Sequence, residues 1–401
     1  MRISVTLLAL LGGSLACAQE QLPTPKVAPV AFIAQLQNLA PVAGRGVVLR
    51  DFNGDGRVDA FVVADNTAAT QGLRVYFGDG HGHFNDSGQN LPYSSPFTHR
   101  PAAADINGDG FADLIVGGTL WLNDGKGHFT QSTDFLDGKP FDFTAVGLAD
   151  LDGNGSADLV VIEKWKTIRV FFNNGKGHFR ENGQSLDLGL DAGSAIIGTF
   201  ALNDLDGNGS VDLVTVGWRN KASDACPNRV WLNDGQGHFH DSGKLLDEGK
   251  RHVHGVAIGD LDGDGRLDVA FALTDRSQAC KIYLNDGAGA FHDSGQKLGE
   301  VWAHAIVLAD FDADGSPDIF LVCGDPKKGT PNQLLLNNGR GQFTDSGLRL
   351  GNAFSWDGAA ADLDGDGRTD VYVTNLRLVD DTKMPPTFGG ALPEVWLNKK
   401  P

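Results

Sequence analysis

One acidic pattern occurs seven times along the 401-residue chain. The loops read DFNGDGRVD from Asp51, DINGDGFAD from Asp105, DLDGNGSAD from Asp150 and DLDGNGSVD from Asp204. They continue as DLDGDGRLD from Asp260, DFDADGSPD from Asp310 and DLDGDGRTD from Asp362. Successive starts are 54, 45, 54, 56, 50 and 52 residues apart. A period near 50 with no helical signature points to blades stacked around an axis rather than to separate domains.

A second motif follows each loop: VYFGDGHGHFNDSG from Val75, LWLNDGKGHF from Leu120, VFFNNGKGHF from Val170 and VWLNDGQGHFHDSG from Val230. It returns as IYLNDGAGAFHDSG from Ile282 and LLLNNGRGQFTDSG from Leu334, then stops short in VWLNKKP from Val395. Each repeat therefore reads as four short strands. The first, before the loop, is rich in small residues (GVAIGD, GAAAD) and suits the crowded axis. The second is almost wholly apolar (DAFVVA, DIFLVC), as for a strand buried on both faces. The third and fourth are joined by NDGxGxF, tight-hairpin chemistry. Glycine, at 54 residues, supplies these turns.

The chain ends match each other. The last repeat halts after its third strand, and AFIAQLQNL at Ala31–Leu39 repeats the spacing of HFNDSGQNL from His83, both closing on Gln-Asn-Leu. The expected fold is all-β: a seven-bladed β-propeller of four-stranded antiparallel blades, closed by an N-terminal strand that completes the last blade and removes open edges. It would occupy residues 31–401, after a linker at 19–30.

In every loop, positions 1, 3, 5 and 9 are Asp or Asn, position 6 is Gly and position 7 varies. Alternate side chains can converge if the chain curls, and a variable position 7 suits a ligand acting through its backbone carbonyl. An all-oxygen set rich in carboxylates suits calcium; His and Cys are absent, which argues against zinc or copper. The candidate ligands are Asp51, Asn53, Asp55 and Asp59; Asp105, Asn107, Asp109 and Asp113; Asp150, Asp152, Asn154 and Asp158; and Asp204, Asp206, Asn208 and Asp212. The last three sets are Asp260, Asp262, Asp264 and Asp268; Asp310, Asp312, Asp314 and Asp318; and Asp362, Asp364, Asp366 and Asp370. An EF-hand would need a bidentate Glu at position 12 between helices. That position holds Val62, Val116, Val161, Thr215, Phe271, Leu321 and Val373, each inside a strand pattern, so the bidentate role falls to position 9. Up to seven Ca2+ ions would bring the formal net charge from −18 to −4.

Together the two motifs resemble the FG-GAP/VCBS family of secreted propellers, which includes the propeller of integrin α-subunits. The resemblance spans residues 31–401 and implies the propeller fold and calcium in the matching loop positions. A literal Phe-Gly…Gly-Ala-Pro element is missing, so integrin-type ligand binding does not carry over. Multivalent sugar binding of the lectin-propeller kind does not carry over either, because the aromatic and His positions vary between repeats.

The start, MRISVTLLALLGGSLACAQE, has one Arg, an apolar run and Ala16-Cys17-Ala18. It predicts a secretory signal over residues 1–18 and a secreted, periplasmic or cell-surface protein, with lipid anchoring through Cys17 ranked second. No later run approaches the length of a membrane span. Of the remaining thiols, Cys226 and Cys280 are candidates for a disulfide or for buried, unbonded packing. The acidic balance argues against a nucleic-acid partner, and a monomer is expected.

If the loops lie at one end of the inner strands, the segments entering those strands lie at the other. They are irregular and mixed in chemistry: Phe97 to Arg100, Phe141 to Phe143, Asp191, and the segments holding His252, His254, Trp302, His304, Trp356 and Asp357. Variation on a rigid scaffold is what a binding face would look like. The candidate ligand-binding residues are therefore His99, Arg100, Asp142, His252, His254, Trp302, His304, Trp356 and Asp357, for a glycan or protein ligand. No Ser-His-Asp spacing, nucleophile elbow or isolated carboxylate pair favours an enzyme. A binding module is thus expected ahead of a polysaccharide lyase or hydrolase, or of a plain scaffold.

Overall fold

The computed structural model describes residues 30–64, 72–89, 91–93, 100–132, 135–136, 143–187, 195–219, 228–246, 252–275, 278–299, 301–380 and 387–400. Every regular element among them is a β-strand. The order within a repeat is the simplest one, each strand pairing antiparallel with the next. In the fifth repeat Val253–Gly259, Asp268–Asp275, Gln278–Gly287 and Ala290–Asp293 form one four-stranded sheet in sequence order. Second strands such as Asp59–Ala64 and Asp318–Cys323 are buried at every residue. Their alternate side chains enter two different apolar clusters: Ile319, Leu321 and Cys323 join one, Phe320 and Val322 the next. The core is thus a series of layers between sheets.

The expectation of seven separate four-stranded blades is corrected. The strands form five four-stranded sheets and one eight-stranded sheet. The cause is a single 19-residue strand, Phe343–Ala361. Its first part pairs with Thr330–Asn337 and its second with Asp370–Asp380, so the sixth and seventh repeats share one sheet. Thr387–Gly390 adds an extra strand there, against the far end of Asp370–Asp380.

The N-terminal strand Ala31–Gln35 pairs antiparallel with Glu394–Lys399, Phe32 opposite Asn398. Beyond it, Gln37 donates to the carbonyl of Gly82 at 2.8 Å and accepts from the amide of Phe84 at 3.0 Å. Gln89 does the same one repeat later, to Gly127 and from Phe129, as does Gln296 to Gly341 and from Phe343. The N-terminal Gln therefore occupies the place of an outer-strand Gln. First and last repeats share an apolar cluster containing Val47, Tyr76, Tyr372 and Leu397, which joins the two ends of the array.

Buried Asn residues tie neighbouring repeats together. Asn233 donates to Leu151 O at 2.9 Å in the preceding repeat and to Val211 O at 3.0 Å in its own. Its Oδ1 accepts from Gly235 and Gly237, which holds the hairpin closed. Asn123, Asn173, Asn285 and Asn337 repeat this arrangement, and Asn398 makes the inter-repeat bond to Phe311 O.

Candidate functional site

The inner strands carry chemistry at both ends. At the loop end, the position-9 carboxylates are buried, none more than 1% exposed. Oδ2 of Asp268 accepts from Leu261 N and Oδ1 from Asn285 N, both at 2.8 Å. The corresponding bonds recur in all seven repeats. Position 9 therefore fastens the loop and the third strand to the second, a role that the ligand pattern alone did not reveal. Burial is the largest influence on these carboxyls and pushes them up to about 6, and Asp318 to about 7, against the opposing backbone bonds.

Position 1 orders the curl by accepting backbone amides: Asp260 takes Gly263 N and Gly265 N on its two oxygens. Position 5 caps the amide of position 7, as Asp264 does for Arg266 at 2.8 Å. The carboxylates at positions 1, 3 and 9 lie within 4.8 Å of one another in the third to seventh loops: Asp150, Asp152 and Asp158; Asp204, Asp206 and Asp212; Asp260, Asp262 and Asp268; Asp310, Asp312 and Asp318; and Asp362, Asp364 and Asp370. These repeated clusters can hold metal ions, each ion compensating carboxylates that otherwise repel. In the first two loops, Asn53 and Asn107 take position 3 and donate to Asp55 and Asp109. Asp51, Asp59, Asp105 and Asp113 supply the remaining carboxylates there. The last loop differs again, because Lys399 Nζ contacts the carboxylates of both Asp364 and Asp366.

At the other end of the inner strands is a second repeated device. In six repeats the ladder between first and second strand carries a β-bulge, and the extra residue stands six positions before the first Asp of the loop. These residues are Arg45, Thr144, Gly198, His254, His304 and Trp356. Six residues of strand put them about 20 Å from the loops. A bulge re-aims the side chain of its extra residue, and five of the six line one cavity of about 170 Å³ together with Arg100, Ala145, Trp165 and Thr199.

The contacts inside this ring are specific. His304 stacks on Trp356, with centroids 4.8 Å apart and planes 20° apart, and meets His254 edge-on at 5.4 Å. The Arg45 guanidinium lies 4.7 Å from the Trp356 ring centre and 5.0 Å from that of Phe388. Nε2 of His304 lies 3.1 Å from Gly324 O, which makes it the donor and leaves Nδ1 as an acceptor. Nδ1 is buried with no hydrogen-bond partner. Asp357 accepts from Val47 N at 3.2 Å, and Arg100 approaches its other oxygen at 3.8 Å. Burial drives both imidazoles toward the neutral form, His254 down to about 3 and His304 to about 4; His304, His252 and Arg100 reinforce the first, and Arg45 the second. Burial raises the Asp357 carboxyl, against the pull of Arg100.

Of the residues nominated from sequence, Arg100, His254, His304, Trp356 and Asp357 come together here. His252 is exposed. Trp302 lines a different cavity, of about 310 Å³, with Asp325 and Lys328. His99 and Asp142 lie outside the described residues, as do Phe97, Asp191 and the signal segment. Cys226 lies outside them too, so its pairing with Cys280 is not described; Cys280 and Cys323 are buried. Sequence reasoning missed Arg45, Thr144, Thr199 and Trp165. The first three could have been found by counting back five or six places from each loop. Trp165 carries no such signal, because it sits at a hairpin tip with φ of 64°.

Among the described residues, no helix is long and apolar enough to cross a membrane. A search of solved structures finds this fold in an N-terminal BBS1 fragment crystallised with an ARL6 fragment. In a lead-soaked crystal the TM-score is 0.54 at 9% identity, covering 93% of this chain and 98% of that one. In a mercury-soaked crystal the TM-score is 0.53 at 10% identity, covering 93% and 97%. Among curated proteins, cartilage acidic protein 1 of Xenopus tropicalis is 26% identical over 162 residues, 37% of this chain. The matched part spans a quarter of that relative's length. The family model described as an FG-GAP-like repeat matches six times, over residues 51–116, 117–161, 150–215, 204–271, 260–321 and 310–373. These matches run through most of the chain and coincide with the acidic loops and their strands, and the chain belongs to the FG-GAP-like repeat family.

Proposed function

We propose that this protein is an exported, calcium-stabilised binding module that recognises a glycan or protein ligand at the axial ring. The observation that carries the reading is the recurrent bulge. The same backbone irregularity appears in six repeats, yet the residues it re-aims are Arg45, Thr144, Gly198, His254, His304 and Trp356. A device needed only for packing would keep one residue type. Here the geometry is constant and the chemistry changes, as in a recognition surface on a rigid frame.

Calcium is the metal that best fits the loops, which offer carboxylate, amide and carbonyl oxygens and no sulfur or imidazole. Its part is structural: the ion would hold positions 1, 3 and 9 together, and position 9 already fastens loop and third strand. The leader-like sequence over residues 1–18 supports export, and calcium is abundant outside cells.

The metal claim is tested by thermal unfolding with and without excess chelator, alongside elemental analysis. A fall in the unfolding midpoint on chelation, with several calcium ions recovered per chain, is expected. An unchanged midpoint and no recovered calcium would overturn it. The recognition claim is tested by glycan and peptide arrays, comparing the native chain with Trp356→Ala and His304→Gln. Binding lost in both variants while the unfolding midpoint is kept would support the ring; binding indifferent to both would refute it.

A further inference from the structure

The axial cavity has a size, a wall and a charge, and together they narrow what it takes. About 170 Å³ is room for five or six waters at liquid density, the bulk of one sugar ring. An extended peptide would need an open strand edge or a longer groove. Each inner stretch of strand is an edge, paired on one side only, so it is the small volume of the cavity that disfavours an extended peptide.

Two indoles belong to the wall, Trp165 and Trp356; His304 stacks on the Trp356 ring and Arg45 lies over it, so the stacking platform is Trp165. Trp165 is held where a bulky residue seldom sits. It and Lys164 are the central residues of the β-turn Glu163–Lys166 at the hairpin tip, with φ of 64° and 51°. Asn-Gly is the sequence such a turn prefers. The tip is anchored by Lys166 N to Glu163 O at 3.1 Å and by Ile197 N to Trp165 O at 2.8 Å, the latter reaching the next repeat. A backbone outlier kept at the lip of a cavity is a candidate for a functional constraint. Flat indole faces suit the C–H faces of a pyranose.

The polar groups are hydroxyls and neutral imidazoles. Thr144, Thr199 and His254 line the space, and His304 keeps a bare Nδ1 acceptor suited to a hydroxyl donor. Among the described residues the charge is positive, although the chain carries −18 overall. Arg100 is in the wall and Arg45 lies on Trp356, against the carboxylate of Asp357. The exposed His252 stands beside His254.

We propose that the axial ring binds an acidic hexose: a uronate-type pyranose of a polysaccharide, its ring against Trp165 and its carboxylate directed to Arg100. This rests on the axial ring being the recognition face. No bond is made or broken in the proposed event.

The test is calorimetric titration of the full calcium-loaded chain with three probes: trigalacturonate, its fully methyl-esterified form, and a glutamate-rich hexapeptide. Trigalacturonate is expected to bind, and the ester at least about tenfold more weakly, the worth of one charge-assisted contact. Arg100→Gln should abolish that preference, and Arg100→Lys should keep much of it. Lys164→Asn combined with Trp165→Gly installs a turn that suits positive φ, so it should fold; it should weaken both sugars about equally.

Equal binding of acid and ester, still lost in the tryptophan variant, would overturn the acidic class while leaving the ring as the recognition face. Acid preference that survives Arg100→Gln would place the carboxylate on loop-bound calcium and overturn the proposal. Peptide binding at the ring without sugar binding would overturn the sugar class alone. Sugar and peptide binding both insensitive to every ring variant would remove this proposal and the axial reading together.

Discussion

Each inner strand joins two regions built on opposite principles. At its loop end the residue types repeat: a buried Asp at position 9 takes the same two backbone bonds in every repeat, and in the second to seventh a buried Asn reaches the same carbonyl in the preceding repeat. At its axial end only the backbone repeats. The bulge returns in six repeats, but the residues it presents run from Gly198 to Trp356. Uniform chemistry is what a strand junction needs, because each repeat faces the same neighbours. Varied chemistry at a fixed geometry is what one asymmetric ligand needs from a ring of near-equivalent positions. The loop end thus answers to the fold, and the axial end to the recognition proposed for it.

The largest expected effect breaks the loop end. Asn233→Ala removes four hydrogen bonds and leaves the buried carbonyl of Leu151 and the part-buried carbonyl of Val211 without this donor. Each such orphan costs about 1–3 kcal/mol, so a loss of about 3 kcal/mol or more is expected in denaturant unfolding. Thr144→Val, at an equally buried ring position, removes one bond to Ile162 O and should cost about 1 kcal/mol. Equal losses at the two sites would erase the distinction between frame and recognition face.

An effect of intermediate size comes from acid at the ring. His254 and His304 are pushed below the ordinary histidine value, so the unfolded chain takes up their protons first as pH falls. Stability is full above about pH 6.5 and declines below it, by about 2 kcal/mol for the buried His304 between pH 7 and pH 5. The decline should be smaller for His254, which is only partly buried. Carboxyls raised by burial work in the opposite sense. That applies to Asp357, and to the position-9 residues whenever the loops are metal-free. The measurement is therefore the difference between the native chain and His254→Gln/His304→Gln, both calcium-loaded. A gap that shrinks steadily from pH 7 to pH 5 is expected; a gap independent of pH would mean that the rings are charged or solvated in the folded protein.

Much of the loop end was legible in the sequence, because its residues recur and their spacing is constant. The strand order within a repeat and the kinship of Gln37 with Gln89 were legible for the same reason. The fusion of the sixth and seventh repeats was not. After the fifth repeat's outer strand, residues 294–297 leave the sheet before the next inner strand, and Gly351-Asn352 in GLRLGNAFSW reads as a similar break, yet Phe343–Ala361 runs through. The bulges were hidden too, since one extra residue in a strand changes register without changing composition. Trp165 was hidden because a strained turn is written in φ angles. Five of the nine residues nominated for the axial face do meet there. They were found because aromatic and charged residues stand out against strands made of Ala, Gly and Val.

The smallest expected effect on stability concerns Lys399, and it sharpens the claim that the loop end is uniform. In the second to sixth repeats the residue after the tying Asn is Asp124, Asn174, Asp234, Asp286 or Asn338, part of the hairpin turn. The last repeat has no such hairpin, because the N-terminal strand takes the outer place, and Lys399 stands there instead. Its ammonium contacts Asp364 and lies 3.0 Å from Asp366, so a cation of the chain itself already neutralises positions 3 and 5 of that loop. Calcium entering there must displace or repel this ammonium, and the last loop should be the weakest of the set. Lys399 is a third exposed, so Lys399→Asn should change the stability of the calcium-free chain by less than about 1 kcal/mol. Its larger consequence should appear in a calcium titration, as a tightening of the weakest class of sites or as one further ion bound per chain. An unchanged stoichiometry and affinity would mean that the ammonium swings aside without cost, and that the last loop matches the others.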